Sequence, residues 1–517
     1  MSRDIVIGLD AGTSVVKSVA FDTAGKQLAV AARPNRYERG PSGAVEQDMA
    51  RTWQDAAASL RDLAEMIDDL PRRVLALAVT GQGDGTWLID RTGEPAAPAW
   101  LWLDSRAASL VEEFDRRCLR KEAYRYTGCG LNACQQSAQL AWLKRHKPEV
   151  LDRAATAMHC KDWLYFKLTG VRATDPSEGT FTFGDFRRRR YAPEVLEALD
   201  IADLRHLLPE MIDGTERSDP LSAVEDTGLP DGTPVVLGYL DVMCTALGGG
   251  LYAPGQTVGC SIVGSTGMHM RLFENAESIQ LAAEPTGYSM PFPLPGHIAQ
   301  MQSNMAATLN IDWIVDVACQ AAEGLGATID RKAALPTIDA RVLEARPGAA
   351  LFHPYIDQAG ERGPFVDANA RAQFTGLSQD VGFFDLVRSV YEGLALAARD
   401  CYGAMGHRPS EVRITGGAAR SRALKQILAS VLGTPIRESA REEAGAAGAA
   451  MIALQSVGAV PDMDAACATW VDPLLGETIA SEPELVGLYD QLFSVYRDIH
   501  QQMPDVWRQL SEAREVH

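Results

Sequence analysis

Two short strand–turn–strand stretches, one opening each half of the chain, constrain the fold more than anything else in the sequence. Residues 5–9 read IVIGL, an apolar run with the length and β-branched content of a buried strand. The run passes into Asp10-Ala11-Gly12-Thr13-Ser14, which is turn chemistry, and residues 15–21 return as a second strand. Residues 257–263 repeat the plan. They end in Gly264-Ser265-Thr266-Gly267, and residues 268–272 return as the hairpin partner. A chain of 517 residues at ~150 residues per domain would allow three domains. The repeated opening favours two large ones, 1–250 and 251–517. The boundary falls near 248–256, where the run Gly248-Gly249-Gly250 and the pair Pro254-Gly255 lie.

Between these openings strands and helices alternate, which defines an α/β class. Residues 27–32, 74–80, 234–237 and 412–415 read as strands. Residues 49–67, 112–125, 137–146 and 241–247 read as helices. Gly81-Gln82-Gly83-Asp84-Gly85 is a tight loop followed by extended residues, so it is not a dinucleotide fingerprint, which should open a helix. Gly416-Gly417-Ala418-Ala419-Arg420-Ser421 opens a helix, and the alanine-rich 442–453 stretch reads as a close-packed one. Residues 159–162, His-Cys-Lys-Asp, read as strand. Neighbours there point to opposite faces, which argues against a His–Cys dyad. Arg187 to Arg190 is a solvated loop or an interdomain or oligomer contact, and Trp507 anchors the last helix.

Lys plus Arg is 49 and Asp plus Glu is 68, a formal net charge of −19. That balance repels phosphate backbones and anionic membrane surfaces, so neither nucleic acid nor membrane is an expected partner. No run of 18 apolar residues offers a membrane span, and Asp4 and Asp10 bracket a run too short for a signal-peptide core. Nine scattered cysteines form no CxxC pair, which fits a reducing cytoplasm with buried thiols.

The first turn offers backbone N–H groups, small hydroxyls and one carboxylate. Gly12 lets backbone approach a ligand, Thr13 and Ser14 can donate to phosphate oxygens, and Asp10 suits hydrated Mg²⁺. Either turn alone could equally be an ordinary hairpin with a solvated aspartate. Two of them, at equivalent places, point to a clamp on a polyphosphate.

The chain resembles the FGGY carbohydrate kinases, within the sugar-kinase, actin and heat-shock ATPase superfamily, over essentially its whole length. The resemblance is carried by IGLDAGTSVVKSVAFD, TGQGDGTWLID, PAWLWLDSR, HCKDWLYFKLTG with TDPSEGT, GYLDVMCTALGGG, IVGSTG, HPYIDQAGERGPFVDANARAQFTGL, ITGGAARSRALKQILASVLGTPI and EEAGAAGAAMIA. It implies two duplicated actin-like (ribonuclease H-like) ATPase domains flanking a deep cleft. Its cofactors would be ATP and Mg²⁺. Asp10, Gly12, Thr13, Ser14 and Lys17 would form the first phosphate turn. Gly264, Ser265, Thr266 and Gly267 would form the second, and Gly416, Gly417 and Ala418 the adenosine segment. Asp241 falls at the family's catalytic base, where the plainer reading is a helix-capping aspartate, and with Asp10 would hold Mg²⁺ through water. Gln82, Asp84, Trp102, Asp104, Asp162 and Asp241 would line the acceptor pocket, joined by Gln135, whose amide suits hydroxyls. Trp87 would sit beside it.

Glycerol kinases carry an Arg-Glu pair where this chain has Gly83-Asp84, and the xylulokinase-like branch commonly carries Met-His. The lost arginine leaves room for a longer neutral acceptor. The acceptor segments look most like those of the family's erythritol branch, implying erythritol to erythritol 4-phosphate. Alternatives are glycerol, xylulose or ribulose as acceptor, or a catalytically silent regulator on the same scaffold. Regulators usually append a DNA-binding helix-turn-helix, whereas this chain starts at its first strand. An actin-like filament protein is disfavoured by the acceptor segments. The family resemblance also implies a homo-oligomer, a dimer.

Overall fold

A computed structural model describes residues 3–406 and 408–515. The chain forms two compact units. One comprises the residues up to Pro254 together with Leu272–Ala299 and Arg441–Leu474. The other comprises Gly255–Arg271, Gln300–Ala440 and the residues from Leu475 onward. The chain thus first changes unit at Pro254–Gly255, and two later stretches return to the first unit.

The first unit is built on six strands: β1 (Ile5–Ala11), β2 (Val15–Asp22), β3 (Gln27–Pro34), β4 (Val74–Gly81), β5 (Asp219–Pro220) and β6 (Pro234–Leu237). Their order across the sheet is β5-β6-β4-β1-β2-β3. β1 runs antiparallel to β2 and parallel to β4, and β4 runs parallel to β6. Both faces of β1 are covered, which is why it reads as a continuous apolar run. Ile5, Ile7 and Leu9 share a core with Trp53 and Leu60 of the helix Met49–Met66. Side chains alternate along a strand, so Gly8 and Asp10 face the other way. There the helix Ala444–Ser456 approaches so closely that a Cβ on Gly8 would lie 2.2 Å from the Ala446 carbonyl oxygen.

The second unit repeats this plan. β7 (Val258–Val263) pairs antiparallel with β8 (Gly267–Phe273) and parallel with β9 (Glu411–Thr415). β10 (Ile436–Ser439) runs parallel to β9, and β11 (Leu475–Ile479) antiparallel to β10. The order β8-β7-β9-β10-β11 reproduces β2-β1-β4-β6-β5 with the same directions. The duplication expected from the two openings is therefore present in the topology.

Several local expectations need correction. The single helix expected over residues 112–125 is two, Ala108–Arg116 and Leu119–Thr127, because Cys118 adopts the left-handed conformation at φ 60°. Residues 159–162 are not strand: His159 caps the helix Cys160–Thr169, and the strand before it is Thr156–Met158. The arginine run is not merely solvated. Arg189 donates to Asp213 at 3.3 Å and to the Leu294 carbonyl at 3.0 Å, tying the returning Leu272–Ala299 stretch to the unit's N-terminal part. Trp507 is buried against Tyr355 and Phe365, as expected. Among the described residues no helix is long and apolar enough to cross a membrane.

Candidate active site

Asp10 sits at the carboxyl end of β1, opposite Lys17 of β2 and Thr80 of β4. Its carboxylate meets the start of the Ala444–Ser456 helix, where a Cβ on residue 445 would come within 2.6 Å of Asp10 Oδ2. Lys17 donates to Glu443 at 2.8 Å, just before that helix. Burial pushes the Asp10 carboxyl up to about 6; Lys17 opposes the shift and Glu443 adds to it. Beyond Asp10 the turn is open: Gly12 and Thr13 are half-buried and Ser14 is exposed.

Asp241 begins the helix Asp241–Gly249, one residue inside its boundary at Leu240, so it is not the capping residue. Burial raises its carboxyl to about 7. The negative charges of Asp10 and Asp84 add to the rise, while the Val242 backbone N–H and Lys161 oppose it. Two raised carboxylates acting on each other form a hard oxygen donor set. That is what Mg²⁺ accepts when it binds through one or two carboxylates, waters and substrate phosphates. The residues present therefore fit the ion.

Asp84 occupies the loop after β4 with a left-handed backbone, φ 56°. Its N–H donates to Glu178 Oε1 at 2.9 Å, and Cys134 Sγ lies 3.5 Å from its carboxylate. Gln82, in the same loop, begins a chain of amides the sequence did not reveal. Gln82 Nε2 donates to Gln47 Oε1 at 2.9 Å, and Gln47 donates in turn to Asn35 Oδ1. Asn35 Nδ2 then donates to the Gly12 carbonyl at 2.8 Å. Trp102 is exposed, and its indole N–H donates to Thr13 Oγ1 at 2.8 Å. The loop holding Gln82 is thus bonded to the first turn through Gln47 and Asn35, and Trp102 reaches the same turn directly.

The other expected acceptor residues are already engaged inside the fold. Asp104 accepts from the Val45 N–H and from Arg106. Gln135 bonds the Asn132 N–H and the Gly130 carbonyl. Asp162 accepts from His159 and from Lys161 at 2.6 Å. Burial opposes ionisation of Asp162, but Lys161 and His159 hold its carboxyl down at about 2. Trp87 is fully buried in the core. His159 and Cys160 are buried too, and burial pushes the Cys160 thiol up, so no thiolate is available.

In the second unit the turn after β7 leaves Ser265 and Thr266 exposed, and its Gly264 carbonyl accepts from Thr308 at 2.9 Å. The expected adenosine segment follows the neighbouring β9. Gly416 has φ 92°, and a Cβ there would lie 2.6 Å from the Val263 carbonyl oxygen. Both segments therefore lie at the carboxyl ends of adjacent parallel strands, the usual ligand position in open α/β sheets. Gly416→Ala is expected to cost about 1–3 kcal/mol from backbone strain alone. A thermal melt at fixed ATP concentration checks it, and an unchanged Tm would contradict the strain argument.

Residues 5–248 match the FGGY family of carbohydrate kinases, N-terminal domain, and residues 259–457 its C-terminal domain. The chain is 52% identical over 513 residues to the erythritol kinase of Brucella abortus, covering 99% of this chain and 98% of that one. It is 30% identical to the autoinducer-2 kinase of Escherichia coli K12, over 87% and 86% of the two chains. Among solved structures it resembles a xylulose kinase from Rhodospirillum rubrum, at 26% identity and a TM-score of 0.86, covering 98% of this chain and all of the other. A gluconate kinase from Lactobacillus acidophilus shares the fold with a TM-score of 0.88 at 22% identity, over 98% and 99% of the chains. The chain belongs to the FGGY family of carbohydrate kinases.

Proposed function

We propose that this kinase transfers the γ-phosphoryl group of ATP to erythritol, giving erythritol 4-phosphate. The observation that carries the choice of acceptor is the 52% identity, end to end, with a protein named erythritol kinase. The acceptor loop supports it. Gly83 contributes no side chain, and Asp84 offers a carboxylate but no cation stands beside it in the loop, which suits a neutral polyol.

Asp241 is the general base. A hydroxyl is a poor nucleophile near neutral pH, and a carboxylate titrating near 7 can take its proton as the oxygen–phosphorus bond forms. The bond from the γ-phosphorus to the bridging oxygen breaks at the same time, and ADP leaves with the electron pair. Asp84 and Gln82 orient the acceptor hydroxyls, and Trp102 packs beside them. Asp104, Gln135 and Asp162 belong to the same acceptor region and act by holding its loops, in keeping with their internal hydrogen bonds. Gly12, Thr13 and Ser14 bind phosphate oxygens in the first unit, and Gly264, Ser265, Thr266 and Gly267 do so in the second. Lys17 balances the charge at Asp10. Gly416, Gly417 and Ala418 receive the adenosine. Asp10 and Asp241 would hold Mg²⁺, and the ion would supply charge neutralisation for the transferring phosphates. Nine free cysteines suit a reducing cytoplasm, and the family resemblance suggests a dimer, which a sedimentation mass of two chains would support.

The test is a panel of acceptors read by coupled ADP release. Erythritol is expected to give a kcat/KM far above glycerol, xylulose, ribulose and longer polyols. A ketopentose in first place would overturn the choice of acceptor, and no ADP with any acceptor would overturn the kinase reading itself.

A further inference from the structure

We propose that Glu178 is a positioning residue for the acceptor: with its neighbour Ser177 it fixes the Asp84 turn relative to the start of the Asp241 helix. The inference rests on the reading of Asp84 and Asp241 as acceptor-site carboxylates.

Both contacts come from one turn of the helix Pro176–Phe183. Ser177 Oγ accepts the Leu240 N–H at 3.1 Å, at the residue before Asp241. Glu178 Oε1 accepts the Asp84 N–H at 2.9 Å. The two carboxylates thus hang from consecutive side chains of a single rigid element. Leu240 also touches the Asp84 loop, since a Cβ on Gly83 would collide with its side chain.

That helix turn is itself held with unusual firmness. Asp175 caps it, accepting the Ser177 N–H at 2.7 Å and the Ser177 hydroxyl. Lys161 Nζ reaches Asp175 at 2.7 Å and Asp162 at 2.6 Å. Asp162 binds His159, whose Nε2 stands 3.5 Å from Glu178 Oε1. All six side chains are buried. Glu178 Oε2 finds no hydrogen-bond partner among the described residues. Burial, reinforced by Asp175, Asp162 and Asp84 against the pull of Lys161, raises the Glu178 carboxyl well above the usual range. Burying an acid here with one oxygen unspent is an expensive way to fill space, and the contact it makes is to Asp84.

The test uses the full chain with Glu178→Asp and Glu178→Gln. Aspartate withdraws the carboxyl by one methylene, so the Asp84 N–H loses its acceptor, whereas glutamine keeps a neutral oxygen in place. In Glu178→Asp the KM for the preferred polyol is expected to rise roughly tenfold, the scale of one lost hydrogen bond, with the KM for ATP within about twofold. Glu178→Gln should restore the polyol KM. Amide exchange gives a readout that needs no turnover: the Asp84 amide should exchange roughly tenfold faster in Glu178→Asp and near the wild-type rate in Glu178→Gln, with β1 unchanged. Unchanged exchange at Asp84 in Glu178→Asp, or ATP and polyol KM values rising together, would overturn the proposal. If the wild type phosphorylates no polyol, the functional reading fails, and the exchange measurement still judges Glu178.

Discussion

Asp241→Asn is expected to lower kcat by about 10²- to 10⁴-fold, the range that general base catalysis supplies, while leaving the Kd for ATP within a few-fold of wild type. The amide keeps the shape and loses the proton acceptor. The pH profile should carry the same signature. Asp241 acts only when ionised, and its carboxyl is raised to about 7. Wild-type kcat/KM should therefore climb with pH up to about 7 and level above it, and this limb should vanish in the variant. Stability should move the other way. A carboxyl raised in the folded state binds its proton more tightly there than in the unfolded chain, so the wild type loses stability as pH rises from its ordinary value of 3.8 toward 7. The asparagine escapes that cost. Its Tm advantage should be absent near pH 4, grow to about pH 7 and then hold. Near-normal turnover, or a Tm advantage confined to low pH, would remove Asp241 from the role.

What the sequence made legible was local. The two openings, β1 and β7 with their glycine turns, could be read because strand period and turn chemistry lie within a dozen residues. The same holds for the placement of Asp10, Asp241 and Gly416 just after strands, while the roles expected of Asp241 and Gly416 come from the family resemblance. What escaped was set by partners distant in sequence. The stretches Leu272–Ala299 and Arg441–Leu474 carry no sign that they return to the first unit, because the signal is the packing that Gly8 and Arg189 make with them. Asn35 and Gln47 look like ordinary polar residues until Gln82 is seen to bond through them to Gly12. Resemblance groups Asp104 and Asp162 with the acceptor pocket and amide chemistry adds Gln135, but the hydrogen bonds of all three run into the fold. Glu178 carries no mark in the sequence, since a glutamate after a helix start is usually a solvated first-turn acid. The break at Cys118 escaped for a different reason: a left-handed residue other than glycine leaves no compositional mark.

The alanine-rich stretch after Glu443 makes the second large prediction. Its close packing is specific: the helix Ala444–Ser456 lies against the helix Asp241–Gly249 backbone to backbone. A Cβ on Gly448 would fall 2.0 Å from the Cys244 carbonyl oxygen, and one on Gly248 would fall 2.2 Å from the Ala444 carbonyl oxygen. Neither obstacle is a flexible side-chain tip, so one helix must move by an ångström or more. Gly448→Ala is therefore expected to cost about 1–3 kcal/mol in overpacking or more, despite being a good helix-propensity change. Activity should fall further than stability accounts for. The displaced helix begins with Asp241, and a misplacement of about 1 Å at a reacting group can cost 10²-fold. Ala450→Gly offers the contrast. It lies on the same helix and removes a methyl rather than adding one, so it should lose stability through helix propensity and lost packing with little change in kcat. Thermal melts and steady-state kinetics on the two variants, at a temperature where both are folded, separate the effects. If Gly448→Ala and Ala450→Gly lower kcat alike, the helix contact serves only stability, and the placement of Asp241 is decided elsewhere.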